Sequence, residues 1–169
     1  MNRPTISLSI AERLKADLAV YNKKYQSIWD LEKRLRQFYK DVKGANVLAT
    51  SSFGATSGVL LHLISKVNPT QKIHFIDTSY HFQETWDYKE ALTNKLGLDV
   101  ITVKGDQPLN QFSKDVQLWK TNNQICCHIN KVQPLNEVKG QFDFWLKHKR
   151  KNEREFIDEL FEVEEHRCA

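Results

Sequence analysis

The sequence predicts an α/β fold built on a doubly wound parallel sheet, and three observations carry that prediction. Short apolar runs alternate along the chain with stretches of helical periodicity. The links between them are short, which implies right-handed crossovers between parallel strands. The apolar runs are continuous and not alternating, as expected for strands that are covered by helices on both faces.

The region before the first apolar run predicts two helices. Apolar side chains recur at helical spacing over residues 9–25 and again over residues 28–42. Ser27 is a candidate N-terminal cap of the second helix, and Gly44 is a fitting stop after it. We expect this pair of helices to be scaffold and not part of a site.

The middle of the chain reads as three strands separated by two helices. Asn68 and Pro69 end the first of these helices, and Gly97 ends the second. The strands are predicted at residues 46–50, 73–76 and 98–103, and the helices at 59–67 and 83–96.

After Gly105 the pattern predicts two more helices and a fourth strand, at residues 108–120, 131–139 and 142–146. The composition then changes, because residues 147–154 are strongly basic and the pattern of residues 156–165 predicts an acidic amphipathic helix. We therefore divide the chain into an α/β domain at 1–146, which includes the N-terminal helices, and a segment at 147–169 made of the basic loop and the C-terminal helix.

The composition excludes several classes of protein. Hydrophobic residues make up 40% of the chain, which argues against disorder. No apolar stretch approaches the roughly 20 residues that cross a bilayer, and residues 1–5 lack the apolar core of a secretory signal. Three cysteines, two of them adjacent, predict reduced thiols and a cytoplasmic location. The net charge of +4 is spread along the chain, and the basic run is directly followed by an acidic helix, which argues against nucleic-acid binding.

A loop of small residues joins the first strand to its helix. Backbone N–H groups at such a helix start, together with the helix dipole, suit an anion. The loop adds four hydroxyl groups and one glycine that admits close approach: Ser51, Ser52, Thr56, Ser57 and Gly54. A phosphate site and a plain strand-to-helix turn both explain this composition. The loop is neither a Walker A sequence nor a GxGxxG fingerprint.

Three other features also have two interpretations each. Asp77 ends the second strand at the edge where ligands gather in open α/β sheets, although Asp77 or Ser79 would equally cap the next helix. Cys126 and Cys127 could be metal ligands or redox thiols, or they could be buried as small hydrophobic residues. The basic run at 147–154 could clamp phosphate or sulfate, or it could be a solvated loop.

Taken together, three segments in register resemble motifs of the sulfonucleotide reductases, which reduce adenylyl sulfate (APS) or phosphoadenylyl sulfate (PAPS) to sulfite. Residues 51–54 resemble the serine-rich SSFG loop of that family. Residues 77–85 are similar to its DTGYxFPET motif, and residues 126–135 are similar to the CCxxRKVxPL segment of its iron–sulfur branch. Asn130 stands where that branch has Arg, a change that the cluster-free branch also shows.

The resemblance implies a PP-loop fold of the adenine nucleotide α-hydrolase type. The loop after the first strand would hold the substrate near its phosphosulfate and ribose, and the charge of the basic run would replace the family's GxRRxQ motif. The substrate-binding residues predicted in this way are Ser51, Ser52, Phe53, Gly54, Ser57, Asp77, Thr78, Lys131, Lys149 and Arg150.

The resemblance has different implications for the cysteines. A 4Fe–4S cluster would take Cys126 and Cys127 as two of four ligands, but the second pair (CxxC) of the iron–sulfur branch is not found after them, and three cysteines cannot supply four thiolates. The family's catalytic cysteine, in an ECGxH segment, attacks the sulfate sulfur and forms a thiosulfonate. Cys168 does not match that segment, yet it is the candidate nucleophile, activated by His166 or Arg167. Thioredoxin or glutaredoxin would then release sulfite.

Three functions remain open from the sequence. The chain could be a working reductase that is shortened at its C-terminus, or an adenine-nucleotide-binding module without redox chemistry. It could also be a PP-loop enzyme that uses ATP, although residues 51–54 lack the SGGxDS pattern of that group. The sequence does not separate APS from PAPS. The apolar face within residues 156–163 could pack on the domain or on a second copy, so a homo-oligomer is also left open.

Overall fold

Four short strands form one sheet in which every pair is parallel, in the order β3-β2-β1-β4. The computed structural model describes residues 18–147, with side chains from residue 20. The strands are β1 (Val47–Thr50), β2 (Lys72–Asp77), β3 (Asp99–Lys104) and β4 (Phe144–Lys147). The predicted parallel α/β architecture is therefore confirmed.

Helices connect the strands and precede the first of them. None of the helices within the described residues has the length and apolarity that crossing a membrane requires. A turn of π-helix (His128–Val132) lies between the last two α-helices. The α-helices are α1 (Leu18–Gln26), α2 (Leu31–Asp41), α3 (Gly58–Val67), α4 (Gln83–Leu96), α5 (Gln107–Asp115), α6 (Leu118–Thr121), α7 (Asn123–Cys127) and α8 (Gln133–Lys139).

Both faces of the sheet are covered. Ile73, His74 and Phe75 are consecutive residues of β2 and all three are buried, although neighbouring side chains of a strand point to opposite faces. The main core lies on the face shared by Ile73 and Phe75, where Leu35 and Phe38 of α2 pack; the Phe38 ring meets that of Phe144 at 6.2 Å. This is why the strands are continuously apolar.

Several element boundaries differ from the sequence prediction. Asp30, and not Ser27, caps α2, because its carboxylate accepts the Lys33 N–H at 3.0 Å. The Ser27 hydroxyl instead donates to the Lys24 carbonyl at the end of α1. Gly97 is confirmed as the stop of α4, since it takes the left-handed conformation at φ 62°.

The prediction of a single helix at 108–120 was wrong, because this stretch forms two helices. The backbone of Gln117 takes a positive φ of 50° between α5 and α6, which ends the first helix. The helix predicted at 131–139 begins within the π-helical turn. The division of the chain at residue 146 stays a prediction, since residues 148–169 lie outside the described part.

Candidate functional site

A cavity of about 440 Å³ opens at the carboxyl edge of the sheet. Its walls come from the ends of β1, β2 and β4 and from the π-helical turn. Six of its residues belong to β1 and the loop after it: Thr50, Ser51, Ser52, Gly54, Thr56 and Ser57. The remaining walls hold Ile76, Thr78, His81, Lys131, Leu135, Trp145 and Lys147. This is the edge at which open α/β sheets bind ligands.

The loop after β1, residues 51–57, is shaped by its own hydrogen bonds and is called the serine loop below. The Ser51 hydroxyl accepts the Phe53 N–H at 3.0 Å, and Phe53 takes a positive φ of 49°. The Ser57 hydroxyl donates to the Gly54 carbonyl at 2.6 Å, so it does not cap α3. The first N–H groups of α3 therefore have no side-chain cap and suit an anion.

Phe53 anchors the serine loop and does not line the cavity. Its side chain is only 2% exposed and its ring packs edge-on against that of Phe75, with the centroids 5.7 Å apart. A contribution of Phe53 to binding would thus come from its backbone. Ser52, by contrast, is exposed and lines the cavity.

The turn after β2 forms the second wall. Asp77 accepts the Ser79 N–H at 2.9 Å, while Ser79 takes a positive φ of 61°. The Asp77 carboxylate thus closes its own turn and neither lines the cavity nor caps α4, whose N-terminal cap residue is Phe82. Thr78 does line the cavity.

His81 lines the cavity as well, although it was not among the substrate-binding residues predicted from the sequence. Its Nε2 lies 2.9 Å from the Ile76 carbonyl and its ring packs on that of Phe75, with the centroids 4.7 Å apart. The Thr78 N–H lies farther from the same nitrogen, at 3.4 Å. A protonated Nε2 that donates to Ile76 is the better assignment, because a carbonyl can only accept.

Two lysines give the cavity positive charge. Lys131 comes from the π-helical turn and Lys147 from the end of β4. The Trp145 indole donates to the Thr50 hydroxyl at 2.8 Å, and the Lys147 Nζ lies 4.0 Å from the centre of the Trp145 ring. Trp145 and Lys147 share a face of β4, and the period of a strand could have identified this pair.

The two adjacent cysteines have different surroundings. Cys126 is buried with its Sγ 3.8 Å from the Ser113 Oγ, whereas Cys127 is exposed and its Sγ lies 3.5 Å from the Asn123 Oδ1. Neither lines the cavity, and no group of three or more His, Cys, Asp and Glu side chains suited to a metal ion occurs within residues 18–147. With three cysteines in the whole chain, the residues present do not complete the four-thiolate set of a 4Fe–4S cluster.

The structure thus brings together six of the predicted substrate-binding residues, namely Ser51, Ser52, Gly54, Ser57, Thr78 and Lys131. Phe53 and Asp77 lie next to the cavity in supporting positions. Lys149, Arg150 and the candidate nucleophile Cys168 lie outside the described residues.

A parallel α/β sheet with a hydroxyl-rich loop and two lysines at its carboxyl edge is the arrangement expected of the predicted PP-loop, adenine nucleotide α-hydrolase type of fold. Comparison with known proteins then gives the family. The chain belongs to the phosphoadenosine phosphosulfate reductase domain family, whose model matches residues 46–163.

Known relatives agree with this assignment. An adenosine 5′-phosphosulfate reductase of Bacillus cereus is 36% identical over 120 residues, which cover 69% of this chain and 51% of the relative. One from Mesorhizobium japonicum is 35% identical over 118 residues, covering 69% of this chain and 45% of the relative. This chain therefore spans about half the length of the curated relatives that it matches.

A solved structure supports the same fold. The crystal structure of phosphoadenylyl-sulfate (PAPS) reductase from Candida auris, in a phosphate complex, superposes with a TM-score of 0.58 at 26% sequence identity. The match covers 87% of this chain and 71% of that chain. The expected resemblance and the expected fold are both confirmed.

Proposed function

We propose that the cavity binds APS or PAPS, and that the chain takes part in reducing this substrate to sulfite. The other product is AMP from APS, or adenosine 3′,5′-bisphosphate from PAPS. The observation that carries the proposal is the meeting of the serine loop with Lys131 and Lys147 in one cavity. Hydroxyl groups, uncapped helix N–H groups and two ammonium groups suit a phosphosulfate. The names of the relatives support the same substrate class.

Each group has a distinct task in this reaction. The serine loop orients the phosphosulfate, and Lys131 stabilises the charge that develops on the phosphate oxygen as its bond to sulfur breaks. The Cys168 thiolate attacks the sulfur, so that a sulfur–sulfur bond forms and the nucleotide leaves with the electrons of the broken bond. A thiol of thioredoxin or glutaredoxin then attacks Cys168, and sulfite departs as a mixed disulfide forms.

Calorimetry with adenosine 3′,5′-bisphosphate, AMP and ATP tests the binding step. We expect one of the first two to bind more tightly than ATP, and the tighter of them indicates whether PAPS or APS is the substrate. Tighter binding of ATP with release of pyrophosphate would instead favour an ATP-using PP-loop enzyme. Failure of all three to bind would contradict the proposed function.

A second candidate is a nucleotide-binding module that does not reduce its ligand. It is favoured by one observation: within residues 18–147 no cysteine lines the cavity. Sulfite release, measured with thioredoxin as the reductant, separates the two candidates. We expect Cys168→Ser to abolish the release and Cys127→Ser to leave it unchanged. Tight nucleotide binding by a wild-type chain that releases no sulfite would establish the second candidate.

A further inference from the structure

The π-helical turn that carries Lys131 is an unusual local structure. Across it the Gln133 N–H bonds to the His128 carbonyl, five residues earlier, and not to the fourth. Such turns are rare and occur frequently at functional sites. The side chains that pack around this turn therefore bear on the cavity that Lys131 lines.

Asn130 is one of these side chains and belongs to the turn itself. Its side chain is 2% exposed, and its Nδ2 donates to the Cys126 carbonyl at 2.8 Å. This carbonyl lies four residues earlier, where the backbone N–H of residue 130 would bond in an α-helix. A change from α-helical to π-helical hydrogen bonding can leave this carbonyl without its backbone donor. The side-chain amide of Asn130 donates a hydrogen bond to it instead.

Ser113 of α5 is a second partner of the Asn130 amide. Its hydroxyl is fully buried and lies 2.9 Å from the Asn130 Nδ2, 2.8 Å from the Tyr80 hydroxyl and 3.8 Å from the Cys126 Sγ. One hydroxyl donates once and accepts twice. All three contacts are satisfied if Asn130 and Tyr80 donate to Ser113 and Ser113 donates to Cys126.

The turn and the start of α8 also lie close to the backbone just after β3. At Gly105, just after β3, an added Cβ would lie 2.9 Å from the Pro134 Cγ and 3.5 Å from the Ile129 carbonyl. The turn is thus close to both Gly105 and Ser113. The next residue after Asn130 is Lys131, which is exposed and lines the cavity.

We propose that Asn130 is a positioning residue, which holds the π-helical turn so that Lys131 faces the cavity. Its contacts are to Ser113 and Cys126 and not to the cavity, so it acts on a ligand through Lys131. The inference rests on the proposed function only in its nucleotide-binding readout, because the conformation of the turn can be measured without a ligand.

A double-mutant cycle tests the coupling. The dissociation constant of AMP or of adenosine 3′,5′-bisphosphate, whichever the wild type binds more tightly, is measured for Asn130→Ala, Lys131→Ala and the double variant. We expect Lys131→Ala to weaken binding about tenfold or more and Asn130→Ala roughly threefold to tenfold. The double variant should bind no more weakly than Lys131→Ala. Wild-type affinity in Asn130→Ala, or losses that multiply in the double variant, would overturn the proposal.

Amide hydrogen exchange supplies the readout that needs no nucleotide. We expect Asn130→Ala to speed exchange at residues 128–133 more than Asn110→Ala does. Asn110 is a matched control because it is also buried and its Nδ2 donates to the Ser79 hydroxyl, outside the turn. Equal effects of the two variants would overturn the proposal, even if the wild type bound no nucleotide and the proposed function failed.

A variant that does not fold would leave the cycle incomplete. Asn130→Leu then replaces Asn130→Ala, because it keeps roughly the size of the side chain, adds no buried charge and loses the donor to the Cys126 carbonyl. The same losses of affinity and of protection are expected for it, and wild-type behaviour in both measurements would overturn the proposal.

Discussion

The carboxyl edge of the sheet has two regions that both carry polar side chains and differ in their exposure. Beside β1 and β4, the serine loop, Lys131 and Lys147 line an open cavity. Beside β3, Asn110, Ser113 and Asn130 are buried and bond mainly to other protein groups. Polar residues at a strand end form a candidate binding site only where they line open space, as the serine loop and the two lysines do.

The comparison predicts which property each region controls. A substitution in the closed region removes a partner from a buried group, so it should lower stability first and binding second. A substitution in the open region removes a group that water can replace, so it should lower binding and leave stability nearly unchanged.

Ser113→Ala should have the largest effect. It leaves the Asn130 and Tyr80 donors without their shared acceptor, and we expect a loss of roughly 2–4 kcal/mol in the free energy of unfolding. Urea denaturation measures it. The matched control is Ser65→Ala on α3, whose hydroxyl bonds only to the nearby His62 carbonyl and which should cost less than about 0.5 kcal/mol. Equal losses at the two serines would remove the distinction between the regions.

Lys131→Ala should act on binding alone. We expect the affinity for the preferred nucleotide to fall about tenfold to a hundredfold, because a charged donor to the phosphate is lost. The denaturation midpoint should stay within error of the wild type. Lys120→Ala is the control, since that ammonium lies over the exposed Trp119 ring and outside the cavity. A large stability loss at Lys131 would show that the open region is also structural.

Gly105→Ala tests the close packing behind the π-helical turn. The new Cβ would lie 2.9 Å from the Pro134 Cγ, and a proline ring yields little, so we expect a loss of about 1–2 kcal/mol. At Gly140 an added Cβ meets nothing within 4 Å, and Gly140→Ala should be neutral or slightly stabilising. Similar melting temperatures for the two variants would contradict this account.

The smallest effect should be a pH dependence from His74. Burial lowers the pKa of this imidazole, and nearby Lys72 acts in the same direction. The unfolded chain therefore takes up the proton first, so stability should fall as the pH decreases below about 6.5. His74→Gln should reduce that slope between roughly pH 7.5 and 5.5. The control is His62→Gln, because that side chain is exposed; an unchanged slope in His74→Gln would refute the assignment.

The sequence was most informative where one local rule decides the outcome. Continuous apolar runs predicted β1 and β2. Gly97 predicted the end of α4, because glycine readily takes the left-handed conformation with which many helices end. The serine loop was identified as a candidate anion site because its hydroxyl groups follow a strand directly.

Other features depend on contacts that a sequence pattern does not contain. The π-helical turn departs from the 3.6-residue period, and the helix predicted at 131–139 included only its last two residues. Lys147 was taken as one charge of a basic run, although strand pairing with β1 brings it to the cavity. The burial of Cys126 follows from its contact with Ser113, thirteen positions away.

The place of β4 in the sheet has a consequence for the order of folding. The Asn46 N–H bonds to the Asp143 carboxylate 97 positions later, just before β1 pairs with β4. Closing so long a loop costs little at equilibrium, since each doubling of length adds only about 0.6 kcal/mol, but distant pairing slows folding. During synthesis β1 can pair with β2 first, and the wall that holds Trp145 and Lys147 is added last. Until then β1 has an unpaired edge, at which a nascent chain is most open to aggregation.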